Sequence, residues 1–510
     1  MEKRIRRLGI FMVLCFVALF LQLNNIQVLR ASSLANSPNN PRVVQAALSQ
    51  GRGSIISSDG VTLAESVLSP PGSAYKYQRV YPANTATLFA QTVGYDSLNY
   101  GNFNGVEAEY NSYLEEHTKP VKTIQDLLSN NSVTDNVTLT MNSKLQEQVA
   151  TAINTHALQP DGQVVTGAAA VVLDPTTGAI EAMYSNPTFD PNPLVSQDAT
   201  TEKNAWNDYL AQEGNPLRAG TYNQLYPPGS SFKVVTASAV LETSPTLTKM
   251  IYPSVTKVLL PQTGGQYLTN YHSEACPEHG PGTLEQLLIE SCDADFATIG
   301  QQLGATALVN QAQLYGFNQR IPLDVPPDTV APSNIGTAAS FADDVPGLMK
   351  SAIGQENVTA TALQMAMVAG TVANGGLEMT PHVMDQIRDS QGNLVTSYTP
   401  KPWQRSISAQ TAATLTTFMQ GVVTSGTAAN VFPASWDVAA KTGTAQTGSL
   451  GPNPQYTTDW LIAFAPVGQQ KVAIAVVLPN QPGSATGATY SGPIVKAILG
   501  DVLADAGQNQ

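Results

Sequence analysis

Strand-forming segments occur at two widely separated places in this chain, and their separation limits the folds open to it. Ala168 to Leu173 and Ala179 to Tyr184 flank Asp174-Pro175-Thr176-Thr177-Gly178, a hairpin connection. Three more strand-like runs, Asp437 to Gln446, Asp459 to Ala465 and Lys471 to Leu478, come far downstream, and a helix from about Ile494 to Ala504 closes the chain. The intervening stretch reads as largely helical and carries Ser230, Ser291 and Gln355. Strands from both ends around central helices predict an α/β sandwich whose sheet is mostly antiparallel.

The N-terminus sets the compartment. Lys3, Arg4, Arg6 and Arg7 precede an apolar run from Leu8 to Leu23, which Ile26, Val28 and Leu29 extend. This predicts a cytoplasmic basic tail over 1–7, a single transmembrane anchor over 8–29 and an extracytoplasmic remainder. A cleaved signal peptide is the rival reading, with Ala31 to Ala35 as a loose small-residue site. Gln22, Asn24, Asn25 and Gln27 intervene before any small residues and favour a retained anchor in the cell membrane. The net charge of −13 argues against nucleic acid as a partner. Three cysteines and five dispersed histidines show no zinc pattern, so neither metal nor cofactor is expected. Cys276 and Cys292 would face an oxidising side. Their spacing permits a disulfide worth about 3 kcal/mol, with two free thiols as the alternative.

Residues 30–48 are polar and read as a linker. A module over 49–160 begins with Gly51-Arg52-Gly53-Ser54-Ile55-Ile56, the turn Ser58-Asp59-Gly60 and Val61-Thr62-Leu63-Ala64, two short strands around a turn. Within it, Val106, Tyr110, Tyr113 and Leu114 have helical spacing. The polar, Pro/Gly-marked stretch from His156 to Thr166 separates this module from a second domain over 161–510.

Three stretches carry the chemistry. In Tyr226-Pro227-Pro228-Gly229-Ser230-Ser231-Phe232-Lys233, a Pro-Pro-Gly turn leads into helix-compatible residues. Ser230 is therefore expected at a helix N-terminus, with Lys233 one turn later on the same face. Ser-x-x-Lys also occurs at Ser73/Lys76 and Ser254/Lys257, but neither copy opens a helix. The second stretch is Glu290-Ser291-Cys292-Asp293, and the third is Lys441-Thr442-Gly443-Thr444 on a late strand. Ser-x-x-Lys, Ser-x-Asn/Asp and Lys-Thr-Gly in that order are the constellation of penicillin-recognising serine enzymes.

With Arg52-Gly53-x-Ile55, Gly105-x-Glu107, Gly354-Gln355, Ala373-Asn374-Gly375-Gly376 and Gly426-Thr427-Ala428, the chain resembles class B penicillin-binding proteins over nearly its whole length. These are monofunctional peptidoglycan D,D-transpeptidases, and the likeness is to the actinobacterial cell-division type. The resemblance implies a penicillin-binding/serine β-lactamase-like transpeptidase fold preceded by an elongated α+β dimerisation or pedestal module. Ser230 would attack a D-Ala-D-Ala stem peptide and form an acyl-enzyme, with Lys233 as base and Ser291 relaying protons to the leaving amine. Lys441 and Thr442 would hold the substrate carboxylate, Gly443 would keep the strand clear, and the N–H groups of Ser230 and Thr444 would form the oxyanion hole. β-Lactams would acylate the same serine, and an amine from a second stem peptide would complete the cross-link. A polytopic membrane glycan polymerase is the implied partner.

Asp293 stands where the family usually has Asn, and Asp293 belongs to the expected substrate-binding set. An ionised carboxylate cannot donate the amide's hydrogen bond. It either pairs with a lysine or is protonated at an acidic exterior. Residues 31–166 are too few for a glycosyltransferase domain. The competing readings are a non-catalytic scaffold or activator of the polymerase and a serine β-lactamase.

Overall fold

The computed structural model describes residues 2–29 and 51–508, apart from 74, 98, 102–103, 119–131, 160–161, 448–455, 469–471 and 484. The expected linker over 30–48 lies outside the described residues. Helix α1 (Glu2–Asn24) is apolar and exposed along its described side chains. Arg4–Gln27 is long and apolar enough to cross a membrane.

Two sheets are built from strands that interleave along the chain. β1 (Ile55–Ile56), β2 (Thr62–Leu68), β3 (Tyr77–Val80) and β4 (Asp135–Leu139) start the first, and β5 (Ala169–Leu173) and β6 (Ile180–Ser185) start the second. The chain then returns to the first sheet with β7 (Met384–Asp389) and β8 (Leu394–Ser397) before completing the second with β9 (Ala439–Thr447), β10 (Tyr456–Ala465) and β11 (Val472–Pro482). The strand orders are β8-β7-β4-β1-β2-β3 and β9-β10-β11-β5-β6. Every pairing in the second sheet is antiparallel, as expected from the sequence. The first sheet contains one parallel pair, β1 with β4.

β5 reads Ala-Ala-Val-Val-Leu and is buried at every position, which requires cover on both faces of the sheet. On one face lie α2 (Ser143–His156) and the closing helix, where Val149, Ile153, Ile494 and Ile498 pack on Leu461 and Ile474. That closing helix spans Gly487–Gln508, longer than the expected 494–504, and its added first turns are tied to β10 by Ser491 Oγ, which donates to Asp459 O at 3.0 Å. The other face holds the helical insertion, whose central helix, Ala362–Ala373, is buried at all its positions.

The expected helix over 105–114 is two short pieces, Gly105–Glu109 and Asn111–Leu114, broken at Tyr110. Val106 and Leu114 are nevertheless fully buried. The neighbouring Glu107 carboxylate is buried between Arg52 Nε and Arg79 Nε, each at 2.7 Å, and also accepts from Tyr81 Oη. Satisfied on both oxygens, this carboxylate ties β3 to the segment before β1.

Candidate active site

Ser230 lies in a 3₁₀ turn, Gly229–Phe232, and the α-helix proper, α3 (Lys233–Thr243), begins three residues later. The sequence placed Ser230 at the helix N-terminus itself. The difference arises because the entry is wound tightly: Gly229 has φ +53° and its N–H donates to Gly354 O at 2.9 Å, while Ser231 Oγ donates to Pro228 O at 2.7 Å. Trp460 Nε1 on β10 donates to Pro227 O and fixes the turn against the sheet.

Ser291 ends the short helix α4 (Leu284–Glu290) with φ +64°, a left-handed conformation uncommon for a residue with a side chain. Thus the chain reverses sharply and restarts at Asp293 as α5 (Asp293–Leu303). Cys292 in that reversal is bonded to Cys276, with Cα atoms 5.4 Å apart. Glu290 lies against the bridge, but disulfide sulfurs lack the thiolate charge that binds metal.

The three stretches converge. Lys233 Nζ donates to Ser291 O at 2.7 Å, to Ser291 Oγ at 3.3 Å and to Asp293 Oδ1 at 2.7 Å. Ser230 Oγ donates to the same Asp293 oxygen at 3.4 Å. From β9, Lys441 Nζ donates to Ser291 Oγ at 2.8 Å and Thr442 O at 3.1 Å. Thr442 Oγ1 shares a 2.6 Å hydrogen bond with Thr427 Oγ1. Gly443 runs against the turn, where an added Cβ would lie 2.6 Å from Pro228 O. Gly229 likewise abuts Thr444, with its Cβ position 2.8 Å from the Thr444 carbonyl carbon. The backbone at Ser230 and Thr444 is thereby brought together beside a groove of about 410 Å³, which Ser230, Ser291, Asp293, Thr442 and Thr444 all line. β9 is the terminal strand of its sheet, so its outer edge is available to an extended peptide.

Burial sets the electrostatics. Lys233 and Lys441 are both fully buried. Burial lowers the Lys233 amine, and Asp293 pulls it partly back. Burial, and then repulsion from Lys233, pushes Lys441 well below its ordinary value. Two further carboxyls were not anticipated from the sequence. Asp295 on α5 is buried behind Lys233 and pushed up to about 7 by desolvation. Asp459, opposite Thr444 on β10, is fully buried and raised to about 7 by the same cause. Asp295 is two residues past Asp293 in a helical stretch, and Asp459 interrupts a strand of apolar and Thr residues. An acidic residue at an otherwise core-compatible position is the signal that could have found both.

A five-stranded antiparallel sheet carrying this helical insertion, with the three motifs facing one groove, defines the penicillin-recognising class. Residues 168–500 match the penicillin binding protein transpeptidase domain, and residues 52–137 match the penicillin binding protein A dimerisation domain. The chain belongs to the penicillin-binding protein transpeptidase family. It is 30% identical over 506 residues to the peptidoglycan D,D-transpeptidase PbpA of Mycobacterium tuberculosis, covering 98% of each chain. To PbpA of Mycolicibacterium smegmatis it is 31% identical over 518 residues, covering 99% of each. Among solved structures, the ceftriaxone acyl-enzyme of penicillin-binding protein A from M. tuberculosis superposes with a TM-score of 0.79 at 29% identity, covering 90% of this chain and all of that one.

Proposed function

We propose that this protein is a membrane-anchored peptidoglycan D,D-transpeptidase that works through a Ser230 acyl-enzyme. The observation that carries the reading is the convergence of Ser230, Lys233, Ser291, Asp293 and Lys441 beside the free edge of β9. A stem peptide ending in D-Ala-D-Ala lies along that edge, its terminal carboxylate held by Lys441 and Thr442. The carboxylate restores the charge on Lys441 that burial disfavours. Ser230 attacks the penultimate carbonyl carbon, and the N–H groups of Ser230 and Thr444 stabilise the oxyanion. Ser291, bridging the two lysines, passes a proton to the departing D-Ala amine. A second stem peptide's amine then takes the acyl group.

The D,D-transpeptidase activity named for the mycobacterial relatives, and the penicillin G and ceftriaxone acyl-enzymes of one of them, support this reading. The basic residues in the first turns of α1 support a cytoplasmic N-terminus with the catalytic groove outside, in a role in cell-wall synthesis. The first sheet, completed by β7 and β8, forms the pedestal on which a polytopic glycan polymerase would dock, while α2 packs on the second sheet and belongs with the catalytic domain, so the boundary expected near residue 160 falls before α2.

The test is fluorescent-penicillin labelling of the full chain in detergent, wild type against Ser230→Ala, followed over hours. Label that persists on wild type and is absent from Ser230→Ala is expected. Equal labelling of both would overturn the role of Ser230, and rapid loss of label would indicate a β-lactamase.

A further inference from the structure

We propose that Asp293 is the first acceptor of the Ser230 proton, with Lys233 acting as an ammonium link in a relay rather than as the free amine base. This inference rests on the Ser230 acyl-enzyme reading and assigns the proton path within that site.

The geometry around Lys233 carries it. An ammonium has three N–H donors and no lone pair. Lys233 Nζ has three acceptors within reach: Ser291 O, Ser291 Oγ and Asp293 Oδ1. The ammonium serves all three at once; a neutral amine could instead accept from the Ser291 hydroxyl, and it is the Asp293 carboxylate at 2.7 Å that favours the charged form. The atom that receives the Ser230 hydroxyl is Asp293 Oδ1, at 3.4 Å. Catalytic hydrogen bonds of this length in a free enzyme shorten when substrate binds. The side chain of Asp293 keeps 21% of its exposure and reaches the groove, whereas that of Lys233 has none.

The contacts form a continuous path. Ser230 Oγ bonds to the carbonyl carbon while its proton passes to Asp293 Oδ1. As the tetrahedral intermediate collapses and the C–N bond breaks, Lys233 gives a proton to Ser291 Oγ, whose own proton goes to the leaving nitrogen. The proton on Asp293 refills Lys233. Carboxylate and ammonium are both regenerated, and the proton lost by Ser230 is balanced by the one gained by the amine. Deacylation by an acceptor amine runs the same path in reverse. An Asn at 293 could receive no proton, so its amide would force the amine of Lys233 to act directly.

Several charged groups surround this path. Lys233 of α3 and Lys441 of β9 attract the Asp293 carboxylate. Asp295, on the same helix, stands behind Lys233. Tyr271, Glu274, Glu278 and Glu290 also line the groove, and Asp459 on β10 is paired with Thr444 across the strand ladder.

The experiment is the second-order rate of acylation by fluorescent penicillin from pH 4.5 to 9, using the full chain in detergent as wild type, Asp293→Asn and Ser230→Ala. With a carboxylate as acceptor, wild type keeps most of its rate between pH 8 and 6. Asp293→Asn is expected to lose at least about 30-fold at pH 6 and to shift its acid limb upward by more than one pH unit. Asp293→Asn matching or exceeding wild type with an unchanged acid limb would overturn the proposal. Should that variant fail to unfold cooperatively, the wild-type profile decides: a tenfold fall per pH unit from pH 8 downward marks an amine base and refutes the relay. Persistent labelling of Ser230→Ala would instead refute the acyl-enzyme reading, whatever Asp293→Asn does.

Discussion

Gly443→Ala tests whether the close approach of β9 to the Ser230 turn is required for acylation. An added Cβ would sit 2.6 Å from Pro228 O, 2.9 Å from Trp460 Cβ and 3.1 Å from Ser231 N. Ordinary contacts need roughly 3.4 Å or more, so strand and turn must part by about 0.5–1 Å. The neighbours offer little relief, because two of the three atoms are backbone and the Trp460 ring is held by its hydrogen bond to Pro227 O. Misplacement of reacting groups by about 1 Å costs on the order of 10²-fold in rate, equivalent to about 2.7 kcal/mol of barrier. The distance that opens is the one between the nucleophile's turn and Thr444, where the oxyanion would be held. The assay is the second-order rate of fluorescent-penicillin labelling, with thermal unfolding as a control for folding. A Gly443→Ala protein that unfolds cooperatively near the wild-type temperature yet acylates within threefold of wild type would show that the close contact is not part of the catalytic geometry.

Glu378 is fully buried by its surroundings, accepts from Gln404 Nε2 and Ser406 Oγ, and is pushed by burial up to about 8. The folded state therefore retains a proton that the unfolded chain loses near 4.5, so this stabilisation is complete below that pH and vanishes as pH rises through about 8. Glu378→Gln should gain melting temperature relative to wild type between pH 5 and 9, by up to about 4 kcal/mol in stability, and parallel curves would contradict the sign. Reducing the Cys276–Cys292 bridge, or replacing Cys276 with Ser, should cost about 3 kcal/mol and slow acylation, because Cys292 lies between Ser291 and Asp293; melting curves and labelling rates indifferent to reductant would count against this. Tyr110→Phe removes the 2.8 Å hydrogen bond from Tyr110 Oη to Asp324 Oδ2 and should lower stability by about 1–2 kcal/mol with labelling rates unchanged within twofold.

What the sequence could disclose depended on the range of the interaction involved. The second sheet was legible because β5, β6, β10 and β11 are largely apolar, buried runs that each carry their own signal, while β9 is marked by its Lys-Thr-Gly motif. The three motif-bearing stretches that meet at the groove were legible because each is a short, ordered pattern of specific residue types. Membership of β7 and β8 in the first sheet was not, since Met384–Asp389 gives no local indication that its partner is Asp135–Leu139. The left-handed turn at Ser291 was also hidden, because nothing about a serine announces positive φ; it is imposed by the helix that ends before it and the disulfide that follows. For Asp293 the sequence left pairing with a lysine and protonation both open, and only the fold shows the close contact, to Lys233 rather than Lys441.

The interleaving of the two sheets constrains how the pedestal can influence chemistry. The sheets are stitched where β4 and β7 meet the β6 end: Ile180 N–H donates to His382 O at 2.9 Å, His382 N–H to Gly178 O at 3.1 Å, Thr140 Oγ1 to Ile180 O at 2.6 Å and Asn142 N–H to Glu181 O at 3.0 Å. β6 is one edge of the second sheet, and β9, with Lys441 and Gly443, is the other. Three strands of continuous hydrogen bonding separate them, all densely packed with helices on both faces. Such a slab transmits a push as a rigid body and resists local bending. A partner gripping the pedestal would therefore orient the whole catalytic domain relative to the membrane and its substrate. To alter the spacing between Ser230 and β9, a partner would have to act on the helical insertion itself, through α5 or the disulfide-linked segment that carries Cys276, because those elements hold Ser291 and Asp293 against Lys233 without passing through the sheet.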